Sequence, residues 1–301
     1  MKKPLILHTW PWSKKVLSGL TGNAFQFRHV PYDDLKTHPA LLKRADALLV
    51  LLSDRVNREL LSQLPNLKAL GTYSVGMNHI DLDACRARGI SVVNTPDVLT
   101  RATAELALAL LLAAARRLPE GEALCRKGNF KGWTPDLLLG LELKGRHAVL
   151  LGEGRIGRET ALLLSGVGLT TEFITRRDSI PDIKSKLARA QILSLHCPLT
   201  PETRHWLDQK RMRLLPRDCI LINTARGEIV DESALIRALK DRRIFAAGLD
   251  VFEHEPKLPL GLRRLPNVVL APHLGSATES TRNKMLEVLL DGLSRSLAKS
   301  S

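Results

Sequence analysis

Short apolar runs recur along the chain, separated by polar stretches with helical character. In the amino-terminal third they are Leu5–Leu7, Phe25–Val30, Ala47–Leu52, Lys68–Thr72 and Ile90–Val93. Phe25–Val30 alternates. The others are short, largely apolar runs, the pattern of strands buried on both faces. Helices are expected at Ala40–Arg44, Leu60–Leu64 and Leu82–Arg88 between them. Strands alternating with helices predict a parallel α/β sheet, complete near Pro96. A long helix is expected from about Thr100 to Arg117. An irregular segment, Arg126 to Gly140, follows, with Gly128, Gly132, Trp133 and Pro135 as its breakers. A second series of strands then runs through His147–Leu151, Thr171–Thr175, Gln191–Leu195, Cys219–Asn223, Ala246–Leu249 and Val268–Leu270, and a helix from Ser280 to about Leu297 closes the chain. The expected fold class is α/β with two doubly wound parallel-sheet domains. One comprises residues 1–96 and 273–301, and the other, 97–272, is inserted into it.

The second series opens on a glycine-rich turn, Gly152-Glu153-Gly154-Arg155-Ile156-Gly157, between the strand His147–Leu151 and a helix expected over Arg158–Leu164. Strand, G-x-G-x-x-G and helix in that order form the dinucleotide-binding fingerprint. Gly152 allows the tight turn, Gly154 lets the backbone approach a pyrophosphate, and Gly157 lets helix and strand pack closely. The helix amino terminus offers N–H groups and partial positive charge to the phosphates. About 20 residues later, where an acid would bind the ribose of NAD, the chain has Thr175-Arg176-Arg177, with Asp178 past the expected strand end. Two guanidiniums in place of a carboxylate suit a ribose 2′-phosphate, so NADP(H) is the expected cofactor and NAD(H) the alternative.

The 301 residues carry a formal net charge of +14. The basic residues are scattered, with no Lys/Arg tract interleaved with aromatics and no helix-turn-helix or zinc-finger spacing. A solvated surface with an anionic cofactor and substrate accounts for the charge without nucleic acid. Cys85, Cys125, Cys197 and Cys219 form no CxxC pair, so neither a metal site nor a disulfide framework is expected. The apolar stretch near the amino terminus is shorter than a signal peptide needs, and the long apolar helix is too short to span a bilayer. A cytoplasmic protein with no membrane partner is expected.

Three polar clusters follow strands of the second series, where open α/β sheets bind ligands. They are Asn223-Thr224-Ala225-Arg226-Gly227, Asp250 to Pro256 with Glu255, and Pro272-His273-Leu274-Gly275. Together they bring an Arg, acids and a His to adjacent loops, which points to a site.

These segments carry a resemblance. GEGRIG, HCPLTPET (His196 to Thr203), INTARGEIVDE (Ile222 to Glu232), AAGLDVFEHEP (Ala246 to Pro256), APHLGSAT (Ala271 to Thr278), YSVGMNHID (Tyr73 to Asp81) and NTPDVLTRATAELALALLL (Asn94 to Leu112) resemble the D-isomer-specific 2-hydroxyacid dehydrogenases. LLSD at Leu51 to Asp54, Trp133-Thr134-Pro135 and SATESTRNKM at Ser276 to Met285 are most like the glyoxylate/hydroxypyruvate reductase branch. The resemblance implies a flavodoxin-like substrate domain and a Rossmann cofactor domain. It implies hydride transfer to a 2-oxoacid, glyoxylate or hydroxypyruvate, giving glycolate or D-glycerate.

His273 would be the proton donor, Glu255 its carboxylate partner, and Arg226 the clasp on the substrate carboxylate. Val75 and Gly76 would bind substrate through their backbone N–H groups. Trp133 would reach a substrate pocket of its own subunit or of the second copy in a homodimer joined through the long helix from Thr100. The implied cofactor contacts are Thr103, Gly152, Gly154, Arg155, Ile156, Gly157, Thr175, Arg176, Arg177, Cys197, Pro198, Thr203, Thr224, Ala225, Asp250 and Gly275, with Asp250 at the nicotinamide amide. Three positions depart from the usual family pattern: Glu153 between the fingerprint glycines, Arg101 before Thr103, and Asn78 where Asp is frequent. Glu153 beside a pyrophosphate is unfavourable unless it points away or pairs with a base such as Arg155. The alternatives within the fold are lactate, phosphoglycerate or phosphite dehydrogenases, and a dinucleotide-sensing corepressor without turnover.

Overall fold

The structure, a computed structural model, describes residues 3–22 and 24–299. The chain divides into two compact units, 1–99 with 278–301, and 100–277. The boundaries therefore lie a few residues beyond the expected 96/97 and 272/273, and His273 belongs to the second unit. The reason is local. The His273 N–H donates to Asp250 O (2.9 Å), and the Leu274 and Gly275 N–H groups donate to the Asp250 carboxylate, so the segment cannot leave the second sheet before Gly275.

The first unit holds β1 (Leu5–His8), β2 (Gln26–His29), β3 (Ala47–Val50), β4 (Ala69–Thr72) and β5 (Ser91–Val93). All pair in parallel in the order β2-β1-β3-β4-β5, a flavodoxin-like sheet. β1, β3 and β4 are buried along their whole length, as near-continuous apolar runs require. One face packs on Leu35, Leu42, Leu61, Leu64 and Cys85, and the other on the helix Glu279–Lys299 through Leu286, Leu289, Leu290 and Leu293. Gly71 allows that approach: a Cβ there would lie 3.1 Å from Leu289 and Leu293.

The second unit begins with the helix Thr100–Ala115, which stops two residues short of the expected Arg117. Arg117 adopts a left-handed φ of 53° and starts a second helix, Leu118–Arg126. The expected irregular segment follows. Six strands come next: β6 (His147–Leu151), β7 (Thr170–Ile174), β8 (Ile192–Leu195), β9 (Ile220–Asn223), β10 (Ala246–Leu249) and β11 (Val268–Leu270). They form a parallel sheet in the order β11-β10-β9-β8-β6-β7. The order reverses between β6 and β8, which makes the crevice beside their carboxyl ends the expected ligand site of a Rossmann sheet. The helix Thr100–Ala115 buries Ala107, Leu110, Leu111 and Ala114 on one face of this sheet. Helices Ile180–Arg189 and Glu232–Lys240 cover the other with Leu187, Leu235 and Leu239. No helix among the described residues is long and apolar enough to cross a membrane.

Candidate active site

The glycine turn leaves β6 at the reversal of strand order. Gly152 has φ 102°, and a Cβ on it would meet the His196 carbonyl oxygen at 2.8 Å. A Cβ on Gly157 would lie 2.2 Å from Gly152 O, while a Cβ on Gly154 would meet nothing within 4 Å. Two glycines are thus demanded by contacts inside the protein and the third faces open space, so the donor set and the space fit a pyrophosphate. The helix starts at Arg155, not the expected Arg158, because Gly154 is already its extended N-cap. No side chain caps it. Glu153 pairs with Arg158 at 3.0 Å. Arg101, the second departure, bonds Glu105 (2.7 Å) and Glu159 (2.8 Å).

Behind the turn lies the segment leaving β8. His196 hydrogen-bonds Ser194 Oγ through Nε2 (2.8 Å), and burial pushes its pKa down to about 4, so the ring is neutral. Burial pushes the Cys197 thiol up to about 11, against its own backbone hydrogen bond and the charge of Arg176. Thr203 Oγ1 donates to Pro198 O (2.7 Å) and accepts from Thr200 N (2.7 Å), which closes the loop. At the end of β7, Thr175 is held by Asp178, and Arg176 and Arg177 are exposed.

Three further loops meet at the carboxyl ends of β9, β10 and β11. Asn223 fixes the first: its Oδ1 accepts from Ala225 N (3.0 Å) and its Nδ2 donates to Arg226 O (2.9 Å). Arg226 donates to Ala225 O (2.6 Å). Burial pulls its pKa down while Glu228 and Glu255 support the charge. Gly227 lies directly against the second loop, where a Cβ would fall 1.9 Å from the Phe252 carbonyl carbon. Glu232, buried and with its carboxyl pushed upward by burial, accepts from Glu253 N (2.8 Å) and ties the same loop down. In the sequence Asn223 shows only as the start of its polar cluster, and Glu232 does not stand out, since Glu at a helix start is ordinary at the surface. Thr224 Oγ1 is buried without a hydrogen-bond partner, a hydroxyl that a ligand could satisfy.

Glu255 Oε2 lies 2.9 Å from His273 Nδ1, and Glu255 Oε1 accepts from Phe252 N (3.0 Å). Burial raises the Glu255 carboxyl, but the His273 hydrogen bond and charge, the Phe252 N–H and the Arg226 charge together win and hold it below the usual range. A carboxylate only accepts, so Nδ1 carries the proton and Nε2 is the free face of the ring. His273 has φ 55°, left-handed for a side chain with a Cβ. Asp250 holds it there. Its carbonyl accepts from His273 N, Oδ1 accepts from Leu274 N (2.6 Å) and Oδ2 from Gly275 N (2.9 Å). Thr103 Oγ1 donates to Gly275 O (3.0 Å). Asp250, expected at a nicotinamide amide, is 1% exposed and has both carboxylate oxygens turned to this backbone, as in an occupied anion nest. Burial pushes its carboxyl upward, against these N–H groups and the His273 charge.

The structure thus brings Arg226, Glu255 and His273 onto adjoining loops of one sheet. Val75 and Gly76 follow β4 of the first unit, where Asn94 Nδ2 donates to Val75 O (2.9 Å) and Ser74 Oγ to Gly76 O (2.7 Å). Trp133 is 78% exposed on the irregular segment. No cluster of three or more metal-ligating side chains occurs among the described residues.

Residues 108–275 match the family "D-isomer specific 2-hydroxyacid dehydrogenase, NAD binding domain". A glyoxylate reductase from Thermococcus litoralis is 44% identical over 266 residues, which cover 84% of this chain and 80% of the relative. A glycerate dehydrogenase from Hyphomicrobium methylovorum is 36% identical, with 99% of both chains covered. A solved structure similar to this one is an NADPH-dependent glyoxylate/hydroxypyruvate reductase from Sinorhizobium meliloti in complex with NADP and malonate. It has a TM-score of 0.87 and 33% identity over 96% of this chain and 92% of that one. With more than half its length matched by the family and near-full-length relatives above 30% identity, this chain belongs to the D-isomer specific 2-hydroxyacid dehydrogenases.

Proposed function

We propose that the protein reduces a small 2-oxoacid, glyoxylate or hydroxypyruvate, to the 2-hydroxyacid with NADPH. The observation that carries this reading is the His273 Nδ1–Glu255 Oε2 contact of 2.9 Å beside Arg226, on the sheet that also holds the glycine turn. The relatives support it: those compared above are named for glyoxylate, hydroxypyruvate and glycerate. A reduced nicotinamide, when bound, supplies hydride to the carbonyl carbon.

The chain's own residues do the rest. His273, its Nδ1 proton fixed on the Glu255 carboxylate, presents Nε2–H to the carbonyl oxygen and donates that proton as negative charge develops. Glu255 fixes the ring's tautomer and orientation through the Nδ1 contact. Arg226 anchors one nitrogen on Ala225 O and keeps its remaining N–H groups for the substrate carboxylate, in the planar geometry such a group favours. The Val75 and Gly76 N–H groups would take the other carboxylate oxygen. Gly154 and the uncapped helix starting at Arg155 would receive the pyrophosphate, and Arg176 and Arg177 a ribose 2′-phosphate.

Initial rates with glyoxylate and hydroxypyruvate, each with NADPH and NADH, test this. The reading predicts turnover of at least one substrate, with the higher kcat/KM for NADPH. Preference for NADH would contradict the cofactor assignment, and no turnover of either acid would contradict the substrate assignment.

A further inference from the structure

Asp178 is the first acid after β7, four residues past its last residue, Ile174. Facing outward, its carboxylate would compete for ribose hydroxyls and repel a 2′-phosphate. It is instead turned inward. Oδ2 accepts from Thr175 N (2.7 Å) and from Thr175 Oγ1 (3.0 Å), and Oδ1 pairs with Lys186 Nζ. Lys186 reaches this point from the helix Ile180–Arg189 and also donates to Phe173 O (2.7 Å). The Asp178 and Lys186 side chains are 14% and 19% exposed, so the pair is sheltered from solvent. The Lys186 hydrogen bond and the Thr175 N–H hold the Asp178 carboxyl below the usual range, and it stays ionised and paired. Arg177 N donates to Thr175 Oγ1 (3.2 Å), which closes the turn and leaves both arginines at its exposed tip. The Arg176 charge extends over the neighbouring loop, where it acts on Cys197 and Glu202.

We propose that Asp178 and Lys186 are specificity-determining positioning residues. Lys186 neutralises Asp178 and holds it inside the turn, so that the tip offers a 2′-phosphate two positive charges and no accessible carboxylate. This rests on the reading that Arg176 and Arg177 take the 2′-phosphate of NADPH. It adds that the arginines alone do not set the preference. Lys186 acts through Asp178 and the Phe173 carbonyl that it bonds.

The test is cofactor selectivity, the ratio of kcat/KM with NADPH to that with NADH, in full-length variants. Lys186→Met leaves Asp178 unneutralised beside the phosphate. Selectivity should fall about fivefold, the scale of Coulomb repulsion between a carboxylate and a dianion across one turn in water-like surroundings. The change should lie in KM for NADPH, with kcat and the NADH constants preserved. Lys186→Arg should retain selectivity. Adding Asp178→Asn to Lys186→Met removes the stranded charge and should return the ratio toward wild type, which repair of a merely structural defect would not do. An unchanged ratio in Lys186→Met, or equal losses with both cofactors and no recovery in the double variant, overturns the proposal. Arg176→Ala/Arg177→Ala separates the two readings. If its ratio is unchanged, the 2′-phosphate reading itself fails. If its ratio collapses while that of Lys186→Met holds, only the inference about the pair fails.

Discussion

Replacing Asp250 by Asn changes one atom in a carboxylate that receives the Leu274 and Gly275 N–H groups at 2.6 and 2.9 Å. The amide keeps one acceptor and turns an –NH2 toward the other backbone donor. One charge-assisted hydrogen bond is lost, worth about 1.5–3 kcal/mol, and the remaining one is weakened. The left-handed backbone at His273, which costs about 1–2 kcal/mol, loses part of what holds it. The expected destabilisation is about 2–4 kcal/mol, or a melting temperature lower by about 5–10 °C for a unit of this size. His273 should move with its turn, and a displacement of about 1 Å at a reacting group costs on the order of a hundredfold in rate. The assay is kcat and KM for glyoxylate reduction, together with the dissociation constant of NADPH by fluorescence titration and a thermal melt. The positioning role predicts a kcat collapse with NADPH affinity within about twofold of wild type, since a neutral group contributes little to a dinucleotide held by its phosphates. A variant that keeps kcat and loses NADPH affinity would refute the reasoning and assign Asp250 to the nicotinamide.

Three further outcomes are expected. Gly157→Ala places a Cβ 2.2 Å from Gly152 O, a backbone atom that cannot step aside, so overpacking of about 1–3 kcal/mol and loss of dinucleotide binding should both appear, and retained NADPH affinity would contradict the cradle. Because the Cys197 thiol lies at about 11, it should resist iodoacetamide at pH 8 while the exposed Cys125 reacts first, as followed by peptide mass mapping; modification of Cys197 before Cys125 would be the contrary result. The Glu255 carboxyl is held below its unfolded value of about 4.3, so the stability it contributes is complete above that pH and is lost as pH falls through the lower folded value. The melting-temperature gap between wild type and Glu255→Gln should therefore be full at pH 6 and close only in stronger acid, and a gap already closing at pH 6 would count against the pairing.

What could be read in the sequence was what local chemistry dictates. The central strands of both sheets are buried on both faces, so β1, β3, β6, β8 and β9 show as apolar runs with no need of their partners. The fingerprint glycines show because their spacing is local: Gly152 takes the positive φ of the turn, Gly157 packs on Gly152 O, and Gly154 between them leaves the space before the helix open. Helices such as Ile180–Arg189, with only Leu187 fully buried, carry too narrow an apolar stripe to stand out among charged neighbours. The long helix was expected to run to Arg117, but the left-handed turn there depends on contacts such as the Arg117–Glu120 pair, which composition does not reveal. The site shows the same division. Arg226, Glu255 and His273 were visible as chemistry after strands. That Asp250 would face the backbone of its neighbouring loop and that Glu232 would reach Glu253 N are consequences of which loops the sheet order sets side by side, and that Lys186 would cover Asp178 depends on how the helix Ile180–Arg189 packs back on β7.

The most direct test of the central claim compares wild type, Arg226→Ala and His273→Ala in NADPH oxidation by glyoxylate, with NADPH affinity measured on the same samples. The account predicts that both variants bind NADPH as wild type does, because neither residue touches the glycine turn. His273→Ala should lose turnover at every substrate concentration. Arg226→Ala should show a large rise in KM together with a lower kcat. Undiminished turnover in His273→Ala would contradict the account, because the proton would then reach the substrate from another group.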